Sequence, residues 1–169
     1  MSVIADLAHQ IEYSDVGVAI AESRYAFPFI EGVHLIGLSV AVGLIIVTDL
    51  RLIGLILRQV PVHVVLRSLR PYVLAGFAAI FVSGVLLFWS EAARIVSTGF
   101  VFPLKLGLIA IGGLNALYFE LVVAKRPELA GDGATPPRAA RVAGVASIAL
   151  WTGVIAAGRL LAYLQTSSG

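Results

Sequence analysis

The sequence contains no cysteine, and its one methionine is Met1. The absence of cysteine excludes disulfides, thiolate metal ligands and cysteine nucleophiles. Because methionine occurs only at the first residue, a thioether ligand is excluded in practice as well. A bound metal or haem would therefore depend on the three histidines, His9, His34 and His63, or on oxygen ligands.

Charged residues are also scarce, since they make up 13% of the 169 residues while hydrophobic residues make up 59%. The mean hydropathy of +0.97 lies well above the usual range of soluble domains. This composition indicates an integral membrane protein surrounded by the lipid bilayer, and the length leaves room for one membrane domain. In such a chain the formal charge of +2 mostly reports topology, so we expect no nucleic acid partner.

Four apolar runs are each close to the roughly 20 residues that an α-helix needs to cross the hydrocarbon core. They lie at about residues 29–57, 72–89, 101–124 and 142–164. Strict alternation of polar and apolar residues, which is the pattern of a half-buried strand, is absent from them. The sequence therefore predicts an all-α fold, an integral membrane four-helix bundle over residues 25–169.

Residues 1–24 have a different character, because acidic residues interrupt the apolar ones and there is no basic start typical of a signal peptide. Ile4, Leu7, Ala8 and Ile11 fall on one face of a helix. Ser14 offers an N-cap for a second short helix. We expect residues 1–24 to form an interfacial amphipathic segment of short helices that lies on the membrane surface.

Basic residues cluster around two of the three predicted connections. They are Arg51, Arg58, Arg67 and Arg70 around the first connection and Lys125, Arg126, Arg138 and Arg141 around the third. Because basic residues flank the cytoplasmic ends of membrane helices, these connections are expected in the cytoplasm. The sequence thus predicts a multi-pass protein of the bacterial inner membrane with both termini on the periplasmic side.

This topology places four ionisable residues in the periplasmic half of the bundle: Glu31 and His34 in the first span, Lys105 in the third and Arg159 in the fourth. Glu31 and His34 share a helical face, so the carboxylate could orient the imidazole. One interpretation is a cofactor site, in which His34 is the metal ligand of a haem iron or relays a proton. Lys105 and Arg159 would then bind haem propionates or a quinone oxygen. The other interpretation is a polar contact that fixes the register of the first and third spans.

A second polar layer lies near the cytoplasmic ends of the spans. It contains Asp49 and Arg51 on the first span and Asn115 and Glu120 on the third. Structural polar pairs are the favoured interpretation here. A contact of Arg51 with Glu120, or of Asp49 with Arg70, would neutralise charge close to the membrane boundary.

Two segments of the first span, Phe27 to Gly37 and Val47 to Gly54, resemble a family of uncharacterised bacterial four-helix membrane proteins. The resemblance continues through Phe100 to Leu108 and Asn115, and so covers most of the chain after residue 25. It implies the same four-helix membrane architecture.

More distantly, a histidine in the first span and a lysine that opens the third are similar to features of the HemJ-type protoporphyrinogen oxidase and of the CopD copper-resistance membrane domains. This similarity implies that His34 is a candidate haem b ligand and that Lys105 is its functional partner.

The first functional hypothesis is a small inner-membrane redox or cofactor-binding protein, with one haem b or a quinone near the periplasmic side. The alternative is a non-catalytic membrane subunit or oligomeric scaffold without a cofactor, acting as a homo-oligomer or within a larger membrane complex. A third is transport of protons or copper, which is less favoured because no ionisable residue lies between His34 and Asp49. No residue is identified as catalytic, and the sequence leaves open whether the protein is an enzyme.

Overall fold

The computed structural model describes residues 3–129 and 135–167, with side chains through residue 164. Within these ranges the chain is helical and contains no strand. Two short helices are followed by four long ones. Their bounds are α1 Val3–Glu12, α2 Asp15–Glu22, α3 Ala26–Ile53, α4 Val62–Ser97, α5 Val101–Tyr118 and α6 Arg138–Ser167. A π-helix, Phe119–Val123, continues α5 directly, and a 3₁₀ turn follows at Pro127–Leu129.

Four of these helices are long and apolar enough to cross a membrane: α3, α4, α5 together with the π-helix, and α6. Their most apolar windows have mean hydropathies between 1.7 and 2.2. The predicted all-α fold with four membrane-spanning helices is confirmed.

The ends of the first two spans differ from the expected positions for local reasons. α3 ends at Ile53 rather than near residue 57, because Gly54 adopts the left-handed conformation with φ of 85°. The Gly54 N–H bonds to the carbonyls of Leu50 and Arg51, which closes the last turn. α4 begins at Val62, well before residue 72. Its first turns are helical, but they contain polar residues, so hydropathy alone did not include them in the span.

Helices α1 and α2, which form the predicted N-terminal helical segment, pack against α4. Near that contact Glu91 has a non-helical backbone, with φ of −137° and ψ of 24°, which interrupts the hydrogen bonds of α4. The N–H of Ala93 instead donates to Glu12 Oε2 at 2.7 Å. The indole N–H of Trp89 donates to Ser14 Oγ at 3.0 Å. The amino-terminal helices are therefore attached to the bundle by hydrogen bonds as well as by apolar contact.

The long helices pack in the order α4, α3, α6, α5. Helix α3 contacts both α4 and α6, and α6 contacts α5, whereas α4 and α5 make few close backbone contacts. Small residues allow the close approaches: a Cβ on Gly76 of α4 would lie 2.9 Å from the Cβ of Ala41, and one on Gly144 of α6 would lie 3.2 Å from the Asp49 carbonyl oxygen.

A cleft therefore separates α4 from α5. Side-chain contacts cross it near both ends. Near one end, the rings of Phe88 and Phe102 stack with centroids 5.4 Å apart. Near the other end, Arg70 pairs with Glu120. The cleft lies between these two contacts.

Candidate functional site

The two ends of the bundle differ in charge. We call the end that holds the α3–α4 and α5–α6 connections, with its eight lysine and arginine residues, the basic end. The other end holds α1, α2 and the α4–α5 turn, and we call it the α1 end. The sequence-predicted residues divide between these two ends as expected.

His34 lies on α3 near the α1 end and is half-buried. Its Nδ1 is 2.9 Å from Ser83 Oγ on α4. The Ser83 hydroxyl itself donates to the carbonyl of Ala79, one turn earlier. A hydroxyl has one proton to donate, so in the tautomer that carries its proton on Nδ1 the ring donates to Ser83 Oγ while Ser83 donates to Ala79. The lone pair of the ring is then on Nε2.

The imidazole sits where α4 has no side chain. A Cβ on Gly84 would lie 3.2 Å from His34 Cε1 and 3.6 Å from Nδ1. A side chain at position 84 would therefore press on the ring. Gly84 and Ser83 together set both the space and the orientation of the imidazole, as outer-sphere partners do for a ligating histidine.

Lys105 lies on α5 within electrostatic range of His34. Its side chain is half-buried and runs along α6, so that Nζ would be 3.6 Å from a Cβ on Gly158. Within the described part of the chain, Lys105 forms no hydrogen bond or ion pair. A half-buried ammonium without a partner is suited to an anionic group.

Glu31 and Arg159 are both exposed. Neither has a hydrogen bond or an ion pair with the residues that the structure describes, and Glu31 interacts electrostatically with Glu91 instead. The structure thus places Lys105 within electrostatic range of His34, while Glu31 and Arg159 are exposed. We call His34, Ser83, Gly84 and Lys105 the His34 cluster.

The other two histidines, His9 and His63, are not part of the His34 cluster. His9 of α1 stacks on Tyr13, the residue that follows α1, with ring centroids 4.3 Å apart, and His63 is exposed in the first turn of α4. Across residues 3–129 and 135–164, no three histidine, aspartate or glutamate side chains converge as a metal site would require. Of the four residues in the His34 cluster, His34 is the one with a side chain that commonly binds a transition metal.

A cavity of about 440 Å³ lies at the basic end, among α3, α4, α5 and α6. Its walls are mainly apolar, and Phe77, Phe119 and Trp151 are among them. Exposed residues on α4 and α5, such as Leu74 and Ile109, line its outer side. The cavity therefore opens through the cleft between these two helices.

Polar side chains gather on the inner side of the same cavity. Asp49 of α3 is buried, and the Ser147 side chain on α6 is its hydrogen-bond partner. Its Oδ2 has no hydrogen-bond partner among the described residues. Asn115 of α5 donates from Nδ2 to the Ala143 carbonyl at 3.0 Å.

The partners in this layer differ from those the sequence favoured. Glu120, in the π-helix, pairs with Arg70 rather than with Arg51. Arg51 is buried and donates from Nε to the Val60 carbonyl at 2.8 Å, so it holds the α3–α4 connection. Asp49 takes Ser147, not Arg70, as its partner.

Sequence reasoning also missed the cavity. Ser147 and Trp151 lie one turn apart on α6 and both face it, and this spacing was the available signal. Phe77 gave no signal of its own, since an aromatic residue in an apolar span is commonplace.

A protein-family model described as "Family of unknown function (DUF6644)" matches residues 13–164, so the chain belongs to this family. Comparisons with curated proteins and with solved structures gave no match.

Proposed function

We propose that this member of the DUF6644 family is a small redox protein of the bacterial inner membrane that holds one haem b through Nε2 of His34. The observation that carries the proposal is the chain of hydrogen bonds from His34 Nδ1 to Ser83 Oγ and on to the Ala79 carbonyl. In the tautomer with Nδ1–H donating to Ser83, Nε2 is the nitrogen that would bind the metal.

The same tautomer favours haem over an oxidised quinone as the cofactor. A quinone carbonyl needs a hydrogen-bond donor, whereas Nε2 of His34 offers a lone pair. A haem iron accepts that lone pair directly. A quinone would have to rely on Lys105 alone.

Lys105 supports the proposal through its charge. Its ammonium is half-buried and unpaired within the described residues, and a haem propionate would supply the missing anion. Arg159 is exposed on α6 and has the reach to meet a second propionate at the surface. When bound, haem b would supply one-electron oxidation and reduction. The similarity of His34 and Lys105 to features of HemJ-type and CopD membrane proteins points the same way.

The orientation of the bundle is part of the proposal. With the basic end in the cytoplasm, the His34 cluster and both termini lie on the periplasmic side. Since the chain has no cysteine, Phe100→Cys and Arg58→Cys give single labelling sites at opposite ends. A membrane-impermeant maleimide added to spheroplasts should label Phe100→Cys and spare Arg58→Cys; the reverse pattern would invert the orientation.

The first test of the haem is an absorption spectrum of the protein purified from haem-replete cells, oxidised and then reduced with dithionite. We expect a Soret band that shifts on reduction, is lost in His34→Ala and is retained in His63→Ala, which removes an exposed histidine as the matched control. A colourless wild-type protein, or a spectrum unchanged in His34→Ala, would overturn the proposal. A colourless protein would favour the scaffold alternative.

A further inference from the structure

Asp49 presents an unused carboxylate oxygen to the cavity at the basic end. The residue is 6% exposed and lines the cavity, and its Oδ2 has no hydrogen-bond partner among the described residues. Leaving a buried carboxylate oxygen unpaired is costly. A ligand that donates to this oxygen would remove that cost on binding.

No cationic side chain that lines the cavity is free to pair with Asp49. Arg70 and Glu120 pair with each other at the edge of the cavity, so neither is free to neutralise Asp49. Ser147 is neutral, and Asn115 spends one N–H on the Ala143 carbonyl. An ionised Asp49 would therefore have no counter-ion in this site, and a bound cation would supply one.

The aromatic walls suit the same charge. The rings of Phe77 and Trp151 lie 5.1 Å apart at an interplanar angle of 53°, and both line the cavity. Aromatic faces attract organic cations, most strongly where water is excluded. At about 440 Å³ the cavity falls in the size range of small-molecule sites.

We propose that this cavity binds a lipophilic organic ammonium ion, which enters from the bilayer between α4 and α5. Its N–H donates to Asp49 Oδ2, and its apolar part lies against Trp151 and Phe77. The site is separate from the His34 cluster and does not depend on a haem.

Trp151 is a built-in reporter of occupancy, since Trp89→Phe leaves it as the one tryptophan of the chain. The probes are 1-pyrenemethylammonium and neutral 1-pyrenemethanol, which share a shape and differ in charge. Binding to the purified protein in nanodiscs is followed as quenching of Trp151 by energy transfer to pyrene. The full chain is used throughout.

Two variants locate the site. Asp49→Asn keeps the shape and the hydrogen-bonding capacity toward Ser147 but removes the charge; Asp6→Asn on exposed α1 is its matched control. Gly113 of α5 lines the cavity and a Cβ there meets nothing within 4 Å, so Gly113→Phe is chosen to place a ring in the cavity. Gly107→Phe on the same helix is equally unobstructed and is the control.

We expect saturable quenching by the ammonium probe that is weakened at least tenfold by Asp49→Asn and by Gly113→Phe, and left unchanged by both controls. The neutral probe should bind at least tenfold more weakly. Equal binding of the two probes would overturn the cationic class, and wild-type binding in Gly113→Phe would overturn the cavity as the site. Probe binding to Gly113→Phe tests the cavity as the site even if Asp49→Asn fails to fold. Since His34→Ala should leave the quenching unchanged, this proposal and the haem proposal fail separately.

Discussion

Arg70 on α4 pairs with Glu120 in the π-helix that follows α5, and this ion pair spans the cleft between the two helices. The side chains are 49% and 40% exposed. A pair this exposed contributes about 0–1 kcal/mol to stability. Its larger effect is on the separation of α4 and α5, because these helices have little other contact at the basic end.

Glu120→Gln should therefore widen the cleft without unfolding the bundle. Spin labels at Tyr72→Cys and Leu121→Cys, two exposed positions on either side, would report the separation by double electron–electron resonance. We expect a longer and broader distance distribution in the variant and a loss of thermal stability of at most about 1 kcal/mol. The exposed Glu128→Gln is the control. Identical distributions in all three proteins would show that the ion pair does not set the cleft.

Glu12→Ala should loosen the amino-terminal helices. The Ala93 N–H, released by the break in α4 at Glu91, would lose its acceptor, at a cost of about 1–3 kcal/mol. We expect faster hydrogen exchange in α1 and α2 and at Ala93, followed by mass spectrometry. Exposed Glu22→Ala should leave exchange unchanged. Unaltered protection in Glu12→Ala would contradict the assigned role of this carboxylate.

Gly76→Val should separate α3 from α4, because even a Cβ at position 76 would lie 2.9 Å from the Cβ of Ala41. Overpacking of this kind costs about 1–3 kcal/mol. Gly43→Ala on α3 meets nothing within 4 Å and should be neutral or stabilising by up to about 1 kcal/mol. Thermal unfolding in detergent, followed by circular dichroism, compares the two. A Gly76→Val protein as stable as the wild type would show that α3 and α4 approach less closely.

Ser83→Ala tests the orientation of His34 in the proposed haem site. The substitution removes the acceptor of Nδ1–H and leaves the fold intact, so we expect haem affinity to fall about 10–100-fold. Haem titration of the apoprotein measures it. Ser39→Ala removes a serine whose hydroxyl bonds only within α3, to the Leu35 carbonyl, and should bind haem normally. Equal affinities in the two variants would remove Ser83 from the site.

The parts of the fold that depend on local sequence could be predicted. The four spans follow from summed hydropathy, and Ser14 caps α2 through its side chain, as its residue type suggests. The end of α3 was within reach too, since Gly54 is the residue type that the left-handed cap requires.

The hydrogen-bond and ion-pair partners of the polar residues at the basic end could not be predicted, because residue spacing does not determine how the helices are placed relative to one another. Glu120 lies in a π-helix at Phe119–Val123, and no residue type predicts such a segment. Likewise, the cavity arises because α4 and α5 stand apart while α3 and α6 touch. The sequence identifies Asp49 and Trp151, but it does not show the cavity that both residues line.

The order α4, α3, α6, α5 makes the bundle two antiparallel helical hairpins that share a single seam along α3 and α6. We expect such an assembly to open most readily by rotation about the α3–α6 contact, since that rotation keeps the packing within each hairpin. The side that would open is the α4–α5 cleft. The ring stack of Phe88 with Phe102 spans the cleft near one end, and the ion pair of Arg70 with Glu120 spans it near the other. Salt weakens an exposed ion pair but not a ring stack, so high ionic strength should favour opening at the basic end.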